Sequence, residues 1–203
     1  GRDLRAISAG GGLPVPYRPG DPAIDPEAHF RLWDQARARI ERALGHRVEL
    51  EIEPGRYLVA AAGVLVSEVR ASKSVGQNHF TLVDAGFNDL VRPAMYGAYH
   101  EIRVIPKDAA EARASIPTIV AGPLCESGDV FTQDAGGHVL PRALPRADVG
   151  DLLVFCDTGA YGASMSGNYN SRPLAPEVLV DGAEVRLIRR RQSIEDLLAL
   201  ERV

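Results

Sequence analysis

At 203 residues the chain has room for one large domain or two small ones, and a hydrophobic share of 45% is enough to bury a core. A net charge of −4 with mixed signs argues against a dedicated nucleic-acid surface, and the one basic run, Arg189-Arg190-Arg191, reads as a solvated edge. The longest apolar run, Leu58 to Val66, falls short of the about 20 residues that cross a bilayer, so no membrane partner is expected. The N-terminus shows no signal-peptide pattern. Cys125 and Cys156, without clustered histidines, make neither a disulfide framework nor a zinc site. A cytoplasmic protein without a metal is expected.

Asp3 to Ala9 reads as a strand running into Gly10-Gly11-Gly12. Successive glycines after a strand can turn a row of backbone N–H groups toward a phosphate, or can simply make a flexible turn. Asp25-Pro26-Glu27 then supplies an N-cap, a first-turn proline and a first-turn acid. Phe30, Trp33, Arg37, Ile40 and Leu44 follow along one side, with Gly45 as the stop, so a helix is predicted here. Val48 to Glu53 alternates apolar and polar residues at the strand period and ends in Glu53-Pro54-Gly55-Arg56-Tyr57. A turn is predicted at that pentapeptide, either a plain strand-to-loop turn or an anion cradle built on Gly55 and the donor fork of Arg56. The whole stretch reads as a βαβ unit with both glycine turns at the carboxyl ends of parallel strands, where such folds bind ligands.

From Gly63 the pattern changes to short strands: Val64–Ala71, His79–Asp84, Tyr99–Ile105, Thr118–Ala121, Asp129–Thr132, Asp151–Cys156 and Glu177–Ile188. Asp181-Gly182 inside the last run signals a hairpin. Seven or so such strands suggest a β-barrel or sandwich. Ser193 with Asp196, then Ile194, Leu197, Leu198 and Leu200, predicts a short capped amphipathic helix whose apolar face docks on the α/β part. The expected class is therefore α+β: residues 1–60 α/β, 61–190 a β-domain, and 191–203 a returning helix.

Four further stretches carry more glycine and polar residues than strand ends require: 84–89 (DAGFND), 92–96 (RPAMY), 122–129 (GPLCESGD) and 159–162 (GAYG). Together with Gly10-Gly11-Gly12, 53–57 (EPGRY) and 167–173 (GNYNSRP), in this order and nearly end to end, they resemble the C-terminal half of the fold-type III pyridoxal-phosphate decarboxylases that act on diaminopimelate. The resemblance implies the last units of a cofactor-carrying (α/β)8 barrel followed by an all-β domain. It also implies a homodimer with shared sites, and a missing N-terminal half supplied in cis or by a second chain.

By the same resemblance, Gly10, Gly11, Gly12, Gly55 and Arg56 would hold the cofactor phosphate, with a hydroxyl from Tyr161, while Glu53 faces the pyridine nitrogen and keeps it protonated. Arg56, Arg92, Tyr96 and Tyr161 would grip substrate. Cys125 and Glu126 would reach the neighbouring subunit's site, Cys125 as proton donor and Glu126 for the distal ammonium group. Taken alone, Arg92 also fits a surface ion pair, Tyr96 a core edge and Cys125 an inert thiol. Cys156 reads as core, and His100 as structural without a role. The family's cofactor lysine lies upstream of this stretch; Lys73 and Lys107, the lysines present, sit in or beside polar turns. The implied activity is decarboxylation of meso-diaminopimelate to L-lysine. An ornithine- or arginine-type decarboxylase and a non-catalytic regulatory relative are the alternatives.

Overall fold

The computed structural model describes residues 3–108 and 113–202; residues 1, 2 and 203, at the ends of the expected first and last segments, lie outside it. Strand β1 (Ala6–Ser8) pairs in parallel with β2 (Glu49–Glu51), and α1 (Pro26–Leu44) crosses between them, giving the expected βαβ unit. Helix α1 starts where its caps dictate. The Asp25 carboxylate accepts from the Glu27 and Ala28 amides at 2.9 and 3.1 Å, and Gly45 ends the helix in the left-handed region at φ 75°. Arg37 bridges Asp34 and Glu41, and Glu41 in turn accepts from the Val48 amide at 2.9 Å, which ties the helix to the start of β2. Trp33 and Ile40 are half-buried on this side, but Phe30 and Leu44 at the two ends of the stripe are exposed, and α1 buries no residue completely.

The strand stops before Pro54-Gly55 as predicted, but the rest of that pentapeptide, Arg56 and Tyr57, begins a helix. Gly55 leads into α2 (Arg56–Val59) and a 3-10 turn, Ala60–Ala62, so the apolar run after Tyr57 is helical until Gly63. From there the chain forms a six-stranded sheet of β3 (Leu65–Val75), β4 (Asn78–Val83), β5 (Ile102–Ile105), β6 (Ser115–Ala121), β7 (Arg142–Pro145) and β8 (Leu152–Phe155). Their order is β5-β8-β3-β4-β6-β7, with only β4 and β6 parallel. Strand β3 pairs with β8 over Leu65–Glu68 and with β4 from Val69 onward, and a bulge between Val69 and Ala71 bends it from one partner to the other. This curl brings the two ends of the sheet together: Arg142 on β7 donates to the His100 carbonyl ahead of β5 at 2.5 Å. The result is a nearly closed barrel around Val69, Val83, Leu90, Ile102, Val120, Leu144, Leu153 and Phe155, with the Phe131 and Phe155 rings 4.4 Å apart.

Several expected strands differ. Asp129–Thr132 is a loop held by isolated bridges, because the Asp129 carboxylate is spent on the Phe87 and Leu124 amides and its carbonyl on Gly122. Arg92–Tyr96 forms α3, stopped by Gly97 at φ 60°, and β7 was not foreseen. The hairpin of β9 (Glu177–Asp181) and β10 (Glu184–Arg189) turns at Gly182-Ala183, one residue later than predicted, with Asp181 paired to Glu184. Gly182 at φ 58° in the first turn position matches a II′ turn. The final helix, α4 (Ile194–Leu198), carries the expected Ser193–Asp196 capping box. Its base is held by Gln192, which accepts from Asn168 and Leu174, while Ile194 and Leu198 remain exposed.

Candidate active site

The two glycine turns lie against each other at the carboxyl end of β1 and β2. The Glu53 amide donates to the Gly10 carbonyl at 2.8 Å, and a Cβ on Gly11 would come within 2.7 Å of the Glu53 carbonyl oxygen, so only glycine fits there. Gly10 and Gly12 take positive φ and have open space before them. The Gly10 amide, expected to be free for a phosphate, donates to Ser8 Oγ at 2.9 Å; Gly11 and Gly12 have no such partner among the described residues. Ser8 also donates to Glu53 Oε1 at 3.0 Å, a link that the sequence did not suggest.

A second group of side chains reaches this turn from the barrel. After β8 the chain makes a tight loop in which Asp157 and Tyr161, neither of them glycine, hold φ of 57° and 62°. A bulky residue in that region is strained and is kept there only by its surroundings. Those surroundings are explicit: the Thr158 amide donates to the Gly63 carbonyl and the Gly159 amide to the Ala60 carbonyl, at 2.9 and 3.0 Å. A Cβ on Gly159 would lie 1.9 Å from the Val59 oxygen, and one on Gly63 2.5 Å from Gly159 Cα. The loop is thus welded to the end of the βαβ unit, and it aims Tyr161 at Gly55, whose missing Cβ would sit 3.5 Å from the Tyr161 hydroxyl.

Arg56 and Arg92 both stack on the Tyr161 ring, at 5.4 and 5.1 Å from its centroid, and Arg92 lies 5.4 Å from the Tyr96 ring. The i,i+4 spacing on α3 brings Arg92 and Tyr96 to one side of the helix, where a loop was expected. Neither arginine enters an ion pair among the described residues. Gly55, Arg56, Arg92, Tyr96 and Tyr161 therefore converge, and two unpaired guanidiniums beside free glycine amides can receive an anion.

Cys125 and Glu126 stand elsewhere, in the loop after β6. Both are exposed. The Gly128 amide, the Ser127 hydroxyl and the Tyr169 hydroxyl donate to Glu126 and hold its carboxyl below the usual carboxylate range. Tyr169 packs edge-on against Phe87 at 4.8 Å, and burial with the Glu126 charge pushes its hydroxyl up. Tyr169 lies inside the 167–173 motif, but the sequence alone suggests no role for it. No hydrogen bond or ion pair among the described residues joins this loop to the Arg56–Arg92–Tyr161 group. Beneath it, buried Asp129 organises the turn, and burial raises its carboxyl despite the Leu124 and Phe87 amides.

Lys73 and Lys107 are exposed on the barrel, the first 5.8 Å from the Phe80 ring and the second with its amide on Asp151. Cys156 is half-buried rather than core, and burial pushes its thiol up. Among the described residues no cluster of three or more His, Cys, Asp or Glu could hold a metal ion, and no helix is long and apolar enough to cross a membrane.

A parallel strand pair with glycine turns, feeding a six-stranded barrel whose loops return to those turns, is the architecture of a known class. Family models of the pyridoxal-dependent decarboxylases match twice, the C-terminal sheet domain over residues 32–159 and the pyridoxal binding domain over residues 1–60. The chain belongs to the pyridoxal-dependent decarboxylase family. Among individual relatives, diaminopimelate decarboxylase of Streptomyces coelicolor is 68% identical over 99% of this chain and 46% of its own length. The Escherichia coli protein of the same name is 64% identical over 99% of this chain and 48% of its own. A crystal structure of a diaminopimelate decarboxylase superposes with a TM-score of 0.95 at 63% identity, covering 99% of this chain and 48% of that one. A diaminopimelate decarboxylase from M. jannaschii in co-complex with L-lysine matches with a TM-score of 0.86 at 34% identity, over 100% of this chain and 44% of that one. The chain spans about half the length of the curated relatives it matches.

Proposed function

We propose that this chain is the C-terminal portion of a pyridoxal-phosphate-dependent enzyme that decarboxylates meso-diaminopimelate to L-lysine. The observation that carries the reading is the pair of guanidiniums, Arg56 and Arg92, stacked on one tyrosine ring without a carboxylate partner among the described residues. The names of the relatives, one of them in complex with L-lysine, support the substrate.

The residues present fit the cofactor. Gly11 lies too close to Glu53 for any side chain, Gly10 and Gly12 face open space, and the Gly11 and Gly12 amides are free for a phosphate. When bound, pyridoxal phosphate supplies the electron sink for the bond that breaks as carbon dioxide leaves. Glu53, fixed by Ser8, keeps a carboxylate oxygen for the protonated ring nitrogen. Gly55 and Arg56 join in holding the phosphate, together with the Tyr161 hydroxyl. Arg92 and Tyr96, on one face of α3, grip the carboxylate that the substrate retains, with Arg56 and Tyr161 flanking it. Cys125 gives its Sγ proton to the carbon that lost its carboxylate, and Glu126, ionised by its donors, receives the distal ammonium group. Cys125 and Glu126 serve the site of the other subunit in a homodimer, consistent with their separation from the Arg92 group within one chain.

The same reading divides the chain at residues 60 and 190, into barrel units, β-domain and returning helix, and puts the protein in the cytoplasm. A second half, in cis or as another chain, brings the cofactor lysine, so the chain alone is inactive. The test is carbon dioxide release from meso-diaminopimelate by the full-length protein, by this chain, and by this chain mixed with a separately made N-terminal half. Activity in the first and third and none in the second is expected. Turnover of ornithine or arginine in place of diaminopimelate would transfer the assignment to a different substrate, and activity of this chain alone would overturn the need for a second half that brings the cofactor lysine.

A further inference from the structure

Arg92 Nε on α3, His100 Nε2 and Tyr17 Oη are among the buried polar atoms that have no hydrogen-bond partner among the described residues. A buried polar atom without a partner has given up its hydration without return, so each of the three calls for a reason. His100 is 1% exposed, and its ring meets that of Tyr17 edge to face at 5.6 Å. Its Nδ1 lies 2.9 Å from the Cys156 carbonyl, which can only accept, so Nδ1 carries the hydrogen. Burial lowers the His100 pKa, and the Arg92 and Arg142 charges add to this against Asp157, so the ring is neutral and Nε2 presents a lone pair. The neighbouring side chains are tied together. Tyr99 is flanked by Arg18 and Arg142, at 4.3 and 4.1 Å from its centroid, and Arg142 also holds the His100 carbonyl.

The three unpaired atoms are complementary: Arg92 Nε–H only donates, His100 Nε2 only accepts, and a phenol does both. We propose that His100 is a positioning residue for Arg92, acting through a relay in which Arg92 Nε–H donates to Tyr17 Oη and Tyr17 O–H donates to His100 Nε2. The relay closes when an anion draws the outer edge of the Arg92 guanidinium toward Tyr161. Pinning the Nε edge fixes the plane of the guanidinium, and both outer nitrogens then face the carboxylate, the geometry that a bidentate grip requires. Tyr17 lies on the segment that leaves Gly10–Gly12 for α1, so the relay couples the glycine turn to α3. No sequence motif points to Tyr17, and by sequence alone His100 reads as structural. The role of Arg92 as an anion grip rests on the function proposed above.

The test uses the full-length protein and three variants. Tyr17→Phe removes the hydroxyl and keeps the ring. His100→Asn keeps a donor for the Cys156 carbonyl but has no acceptor at the far end. His100→Gln extends an amide oxygen toward the Nε2 position. Tyr17→Phe and His100→Asn should each raise KM for diaminopimelate about tenfold, with kcat and the cofactor absorbance unchanged, since the lost contact is equal in ground and transition states. The double variant should be no worse than either single one, and His100→Gln should recover part of the loss. Additive effects, or a fall in kcat with cofactor loss, would mark a structural role and overturn the relay. A second readout does not depend on the substrate: in protein labelled with 15N-histidine, the Nε2 resonance of His100 should move in Tyr17→Phe when an anion is bound. An unmoved resonance overturns the relay, whereas a moved resonance in a protein that leaves diaminopimelate intact would retain the relay and reject the substrate.

Discussion

In the barrel, β8 sends Leu153 and Phe155 into a core that closes over them completely; in the βαβ unit, α1 runs for 19 residues without burying one. Both regions follow ordinary rules of secondary structure, with sound caps on α1 and a clean parallel register between β1 and β2. They differ in where their apolar faces go. The barrel strands find partners on both sides until β5 and β7 meet, whereas β1 and β2 have only each other. Leu32 on α1 and Leu58 on α2, 68% and 65% exposed, face solvent. Secondary structure can thus be locally complete while its apolar faces stay uncovered within this chain.

The strongest way to break the contrast is from the barrel side. Asp151, 1% exposed, accepts from the Lys107 and Asp148 amides and pairs with Arg113. Asp151→Ala strands those groups and should cost about 3–5 kcal/mol in denaturant unfolding. The weld between the regions comes next. Gly159→Ala drives a methyl into the Val59 carbonyl and should cost about 3 kcal/mol, the upper end for overpacking, while Gly167→Ala, which meets open space, should stay within about 0.5 kcal/mol. For the site, Arg92→Ala in the full-length protein should lower kcat/KM for diaminopimelate by about 1.5–3 kcal/mol, roughly 10- to 150-fold, with cofactor retained. Unchanged kinetics would remove Arg92 from the site.

The smallest effect belongs to α4. Arg190 and the Ser193 amide hold the Asp196 carboxyl far below its usual range. A depressed carboxylate stabilises above its unfolded pKa of about 3.9 and loses that contribution as pH falls through the folded value. Amide protection of α4 should therefore persist as pH drops past that range, and Asp196→Asn should remove it without moving the barrel's unfolding midpoint.

The sequence exposed what local chemistry decides. Asp25, Pro26 and Gly45 delimit α1, and Ser193 with Asp196 marks α4, because caps act within a turn of themselves. It misjudged elements that distant residues decide. Asp129–Thr132 has strand-like residues but serves Phe87, 42 positions away, and α3 ends where Gly97 would clash with Ala135 if it carried a side chain. The candidate site divides in the same way. Gly11, Gly55, Arg56, Arg92 and Tyr161 were legible as residue types in motifs. The convergence of Gly55, Arg56 and Arg92 on Tyr161 depends on Gly63 touching Gly159, a backbone contact with no trace in composition or period.

Amide hydrogen exchange on the isolated chain, before and after addition of a separately made N-terminal half, tests the central contrast most directly. Amides of β3, β4, β6 and β8 should be protected from the start, while those of β1, β2 and α1 exchange quickly and become protected only in the complex. Equal protection of β1, β2 and the barrel in the isolated chain would contradict the account.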